Sequence, residues 1–287
     1  MSIDIEITQK GLFKKALAHR TIIADLGYGV YENNRLDEGK IGEEFIVYDK
    51  NHIGRGISVV CGRNEKNRVV LRLLNPTCNE EIDALYDMIE RICSVWTNCV
   101  VKQDDEEIKL SDFAEWRSKM KEFNGKSLDS FLEKMETMES LTLFSAMWQL
   151  DMGQEERKEI LASDEPVKAY GEWLHRLQEM DIYFAMPRFY KTNDGLIGVY
   201  FITENTLSAV PLVPAVPFGL TDENGNPVKI DSWRANFYSI TADDTIGDMP
   251  YSDFIERVKD GAKRYDGSRI IAEPMSDERL RELLKGG

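Results

Sequence analysis

Between Tyr183 and Tyr238 the chain carries four adjacent aromatic pairs: Tyr183-Phe184, Phe189-Tyr190, Tyr200-Phe201 and Phe237-Tyr238. Successive side chains on a strand point to opposite faces, so an aromatic doublet puts bulk on both faces at once. The stretch therefore predicts a sheet with large residues on both sides, covered on both sides. Between the third and fourth pairs runs a proline ladder, Pro211-Leu212-Val213-Pro214-Ala215-Val216-Pro217. Prolines at every third place favour a polyproline II path, which docks into aromatic-lined grooves of partner proteins. The apolar neighbours Leu212, Val213, Val216 and Phe218 point instead to burial against the chain's own aromatic sheet, since exposed apolar patches are uncommon. Exposure of Pro211, Pro214 and Pro217, with Phe218, would make this segment a partner site.

Pattern and turn chemistry divide the rest of the chain. Residues 3–7 alternate as a short strand, residues 11–18 read as a brief helix with Phe13 and Leu17 on one side, and the Gly- and Asn-rich stretch 28–42 reads as loop. Strands are expected over 44–49, 53–62 and 68–75, the last two joined as a hairpin through residues 63–67. A helix capped by Asn79 places Ile82, Leu85, Tyr86, Ile89, Cys93 and Trp96 on one face, over that hairpin. A strand at 98–102 and an acidic turn at 104–107 close a first α+β domain, 1–110. Residues 111–180 read as a helical insert or bridge: one helix capped by Ser111 and interrupted at Gly125, a second through Leu128 and Leu132, an apolar pattern through Leu143 and Trp148, and a last helix opened by Pro166. The third domain, 181–287, holds the aromatic sheet, turns at 193–195 and 222–227, a strand at 233–240, a helix after Pro250, a strand at 269–272 and a helix at 276–284. The fold class is α+β, with mostly antiparallel sheets, packed helices and a helical middle segment.

The net charge of −15 disfavours generic binding to phosphate backbones. The richest basic run, Arg55, Arg63, Lys66, Arg68 and Arg72, reads as a solvated hairpin. The N-terminus lacks the basic and apolar regions of a signal peptide, and no window approaches the ~18 apolar residues of a membrane span, so a cytoplasmic location without membrane partners is expected. The four cysteines, 61, 78, 93 and 99, show no Cys-x-x-Cys spacing. They read as free thiols, with Cys61 and Cys93 as small core residues.

Few constellations carry chemistry. His52 precedes Ile53-Gly54-Arg55-Gly56, where small residues admit a ligand to the backbone and Arg55 offers a cation; the plainer reading is a turn into a strand. His175 reads as a residue at the boundary of its helix's apolar face. Asp222-x-Asn224-x-Asn226 fails the calcium-loop pattern, because its glycine comes at the fourth place and Trp233 at the twelfth. Asp243, Asp244 and Asp248 are hard oxygen ligands for a divalent ion, or capping and dipole partners of the following helix. No nucleophile elbow, Ser-x-x-Lys or His-Glu-x-x-His string is present. No catalytic residue and no cofactor are assigned.

The run Ile53-Gly54-Arg55-Gly56-Ile57-Ser58, the strand 69–75 and the helix 79–96 resemble a bacterial family known as domain of unknown function 4299, with the order of elements extending over the whole chain. The resemblance implies a bacterial cytoplasmic protein; it implies no activity, cofactor or catalytic residue. Two functions from different classes follow from the residues. One is a non-catalytic binding or regulatory protein with another protein as partner. The alternative is a metal-assisted hydrolase with an acidic site at Asp243, Asp244 and Asp248.

Overall fold

The computed structural model describes residues 2–32, 34–62, 67–193, 195–217, 220–221, 224–226 and 228–285. The chain forms two compact units, Met1–Glu179 and Met180–Gly287.

The first unit is built on alternation. In β1 (Ser2–Gln9) the residues Ile3, Ile5 and Ile7 point inward and are buried, while Asp4 and Glu6 point outward. A helical turn, α1 (His19–Ile23), leads into β2 (Gly27–Glu32) and β3 (Arg35–Glu38), which replace the loop expected over 28–42. Gly29 makes room there rather than a turn: a Cβ on it would lie 2.6 Å from Asp37 O and 2.7 Å from the Leu36 side chain. β4 (Glu44–Tyr48), β5 (Ile57–Val60) and β6 (Arg68–Leu74) follow, with β5 and β6 paired antiparallel as expected; Arg63 to Lys66, between them, lie outside the described residues. After α2 (Asn79–Val95), β7 (Cys99–Gln103) and β8 (Glu106–Ile108) complete an eight-stranded sheet of order β3-β2-β4-β5-β6-β1-β7-β8, antiparallel throughout. The hairpin between β7 and β8 turns on Asp104 and Asp105, both at positive φ, the conformation a two-residue type I′ loop requires.

Helix α2 covers one face of this sheet. Ile82, Leu85, Tyr86, Ile89, Ile92, Cys93 and Trp96 pack with the isoleucines of β1 in one core cluster. Each such side chain contributes about 1.5–3 kcal/mol on leaving water. The cap differs from expectation: Asn79 is the first helical residue, and Cys78 precedes it without a side-chain cap bond. Helix α3 (Phe113–Lys134) runs unbroken through Gly125. The adjacent Asn124 is fully buried and exchanges two 2.8 Å hydrogen bonds with the Thr77 backbone, which offsets the ~1 kcal/mol a mid-helix glycine costs. Ser111 caps nothing; its hydroxyl donates to Asp112 Oδ1. Beyond α3 the apolar run through Leu143 and Trp148 is a hairpin, β9 (Ser140–Phe144) with β10 (Gln149–Gly153), not a helix. Helices α4 (Gln154–Leu161) and α5 (Pro166–Glu179) end the unit, the latter opened by Pro166. Residues 11–18 form no helix, and Leu12 and Phe13 stand in solvent.

The second unit holds two sheets. β11 (Tyr183–Phe184), β14 (Ser208–Pro211) and β17 (Arg269–Ala272) form one, of order β11-β14-β17. β12 (Arg188–Thr192), β13 (Gly195–Thr203), β15 (Ser232–Ser239) and β16 (Asp244–Pro250) form the other, in that order. Two pairings are parallel, β11 with β14 and β13 with β15. Helices α6 (Tyr251–Val258) and α7 (Asp277–Lys285) contribute Tyr251, Phe254, Ile255, Leu280 and Leu283 to the core with Tyr200, Ile202 and Phe237. The architecture is α+β. The doublets, however, are not covered on both faces. Tyr200 and Phe237 enter the core, whereas Phe201 and Tyr238 stay half-exposed on the opposite face and Tyr190 is exposed. Arg188 lies over the Phe201 ring there, and Arg234 pairs with Asp248.

Candidate functional site

The His52–Gly56 run sits at the centre of the first unit, and its glycines serve a ligand supplied by the chain itself. Glu81, on the first turn of α2, is fully buried. Its carboxylate accepts the backbone N–H of Arg55 and of Gly56, each at 2.7 Å, and the Thr77 hydroxyl. Gly54 must lack a side chain, since a Cβ would stand 2.3 Å from Glu81 Oε2, and Gly56 adopts φ +75°. Arg55 is buried rather than part of a solvated hairpin; its guanidinium donates to the carbonyls of Phe144 and Pro76. Desolvation pushes the Glu81 carboxyl above the usual carboxylate range, against the hydrogen bonds from Thr77, Gly56 and Arg55 and the charge of Arg55. Around this centre Gln178 donates to the carbonyls of Ile53 and Gly54, and Tyr170 donates to Pro76. His175 Nδ1 accepts the Ile53 N–H, while His52 is exposed beside Asp49. The other described members of the basic run are neutralised on the outer sheet face, Arg68 by Glu6 and Arg72 by Asp4.

The three aspartates of the second unit are engaged separately. Asp243 accepts from the Tyr238 hydroxyl, Asp244 accepts the Thr245 N–H, and Asp248 pairs with Arg234. Asp244 and Asp248 lie four residues apart on β16, about 13 Å along an extended strand. Among the described residues no group of three or more His, Cys, Asp or Glu side chains is placed to hold a metal ion.

The proline ladder is pinned from below. Pro211 ends β14 and is buried, and its carbonyl accepts the Tyr251 hydroxyl at 2.7 Å. Leu212 N–H donates to Ser268 O at 2.9 Å. The Tyr200 hydroxyl donates to Ala215 O and accepts the Ala215 N–H, each at 3.3 Å; burial raises the pKa of this tyrosine to about 12. Pro214 and Pro217 are half-buried, and Phe218 lies outside the described residues. The segment is therefore only partly buried. Leu212 and Leu220 are each 41% exposed and Val213 75%. No charged residue occurs between Glu204 and Asp222. Spacing alone singled out the prolines, but the side chains that reach solvent furthest stand between them.

A cleft of about 370 Å³ opens between α4 and α5 in the first unit, over Ile160, Ala169 and Trp173. Glu159, Glu172 and Arg176 rim it, exposed and without an ion pair among the described residues. The adjoining Glu156 is turned inward and accepts the Gly153 N–H at 2.8 Å, closing the N-terminus of α4. Sequence reading missed α4, and with it the cleft: the stretch 149–162 has no long apolar period to mark it.

Four cysteines are free; Cys78 and Cys93 are buried, Cys61 and Cys99 half-buried. Among the described residues no helix is long and apolar enough to cross a membrane. The model of one family, Domain of unknown function (DUF4299), matches residues 2–283, and the chain belongs to that family. No curated protein and no solved structure matches it.

Proposed function

We propose that this member of the DUF4299 family is a non-catalytic cytoplasmic protein that binds another protein through the ladder segment of its second unit. One observation supports the reading: an uncharged run whose backbone is fixed by Tyr200, Tyr251 and Ser268 while Leu212, Val213 and Leu220 face solvent. A pinned backbone lowers the ordering cost that a loose apolar loop would incur on binding. Its partner is a protein with an apolar groove that takes up Leu212 and Val213, since Pro211 is itself buried. A photo-crosslinking residue at position 213, introduced in living cells, is expected to give one discrete adduct. Its partner, reconstituted from purified components, is expected to bind Val213→Asp at least about 10-fold more weakly. Adducts no more discrete than those from an exposed control position, or unchanged binding by Val213→Asp, would end the proposal.

A further inference from the structure

The segment after β1 is displayed rather than packed. Leu12 is 95% exposed and Phe13 94%. Yet the base beneath them is held. Lys10 N–H donates to Asn98 O at 2.8 Å, Lys15 N–H to Gln9 Oε1 at 3.0 Å, and the Trp96 indole N–H to Lys15 O at 2.9 Å. Lys14 Nζ reaches back to Gln9 O, and Gly11, at φ +89°, makes the turn that lifts the tip. Two large apolar side chains are thus held in water on a fastened loop. The charge around them opposes that of the whole molecule. Residues 7–24 carry Lys10, Lys14, Lys15 and Arg20 and no acidic residue, in a chain of net charge −15.

The cleft between α4 and α5 lies over Ala169 and the buried Ile160 and Trp173, and its rim carries two carboxylates, Glu159 and Glu172, against one cation, Arg176. From these two features we infer that the Leu12–Phe13 tip of one chain docks in the α4–α5 cleft of a second copy, with Lys14 and Lys15 meeting Glu159 and Glu172. A Phe side chain buries enough surface to anchor such a contact, and the charges set its orientation. The contact joins two different surfaces, so it gives a reciprocal pair, a ring or an open filament according to the rotation it sets.

Sedimentation velocity from low micromolar to submillimolar concentration tests the pairing, with the 33.0 kDa monomer as reference. Wild type is expected to assemble, more weakly as salt rises. Phe13→Asp is expected to weaken assembly about 30-fold or more, the effect of losing a central aromatic anchor. Lys14→Glu with Lys15→Glu, and Glu159→Lys with Glu172→Lys, are each expected to weaken it, and the four together to restore it. Phe13, Lys15, Glu159 and Glu172 carry exposed side chains, so their variants keep the wild-type melting temperature; Lys14→Glu also gives up the bond to Gln9 O, and Lys15→Glu alone controls for that loss. A photo-crosslinker at position 13 is expected to label α4 or α5 of the second copy. A wild type that stays monomeric throughout, or an assembly indifferent to Phe13→Asp, overturns the inference. So does failure of the fourfold charge exchange to restore what either pair removes. A monomer that cosediments with phosphatidylglycerol vesicles through Phe13 would reassign the tip to a lipid surface and equally overturn it.

Discussion

Replacing Glu81 by alanine is expected to cost the first unit about 4 kcal/mol. The figure rests on what the carboxylate alone satisfies. Two backbone N–H groups, those of Arg55 and Gly56, reach it at 2.7 Å in a fully buried site. Each loses its only acceptor in the variant, and a buried orphan donor costs about 1–3 kcal/mol. The Thr77 hydroxyl can rotate, and Arg55 keeps the carbonyls of Phe144 and Pro76, so neither is counted. For a unit of this size, 4 kcal/mol lowers the melting temperature by about 8–16 °C. Glu81→Gln keeps one acceptor oxygen but sets an amide NH₂ against a backbone donor, and is expected to cost about half as much at neutral pH. Denaturant unfolding followed by tryptophan fluorescence reads this unit well, since Trp96, Trp116, Trp148 and Trp173 lie in it and only Trp233 outside. The pH dependence has a definite sign. A carboxyl held above its ordinary value of 4.5 contributes stability that is fully present below that value and lost as pH rises through the folded pKa. The gap between wild type and Glu81→Gln is therefore widest in acid and narrows towards neutrality. An alanine variant within about 1 kcal/mol of wild type would refute the assignment, because two orphaned buried donors cannot cost so little.

Other substitutions probe separate parts of the argument. Glu204, in the second unit, accepts from the hydroxyls of Ser239 and Thr241 and the Thr241 N–H, which hold its carboxyl below the usual range. Its contribution has the opposite sign: present above 4.5 and lost as pH falls through the lowered value, so Glu204→Gln should differ from wild type at neutral pH and converge with it in acid. Gly54→Ala would drive a methyl to 2.3 Å from Glu81 Oε2, and thermal melts should show a loss of about 1–3 kcal/mol. Tyr251→Phe removes the hydroxyl that holds Pro211 O; it should cost about 1 kcal/mol and speed proteolysis within residues 212–217, and an unchanged cleavage rate would count against pinning.

Much of the architecture was legible because the physics behind it is local. Alternation in β1, the helical period of α2 and the strand 269–272 each report burial through side chains a few residues apart. Errors came where distant residues decide. Gly29 looks like loop until Leu36 and the Asp37 carbonyl are seen to fill the space it leaves. Gly125 reads as a break until Asn124 is seen tied to Thr77, 47 residues away. Leu143 and Trp148 suit a helical period as well as a hairpin; the pairing of Leu143 with Leu150 makes the hairpin, and Trp148 lies in its turn. Phe13 and Leu17 share one side of the expected helix, but Leu17 packs on the core while Phe13 stands in solvent.

The candidate sites show why composition is a poor guide to chemistry here. Gly-Arg-Gly after a histidine is what an anion-binding loop needs, and this loop does bind an anion with two backbone N–H groups. The anion is Glu81, delivered by the helix that packs on the sheet. A carboxylate fully buried among donors, with Gly54 shaped to its oxygen, leaves no approach for an external phosphate or substrate without expelling it. The feature most like a ligand site thus stabilises the fold. Apolar side chains also stand exposed on hydrogen-bonded backbone in each unit: Leu212 and Val213 in one, Leu12 and Phe13 in the other. In both, hydrogen bonds from buried aromatic residues, Tyr200 and Tyr251 for the first and Trp96 for the second, hold the chain beneath the exposed pair. Rigid display of this kind lowers the entropy lost on binding.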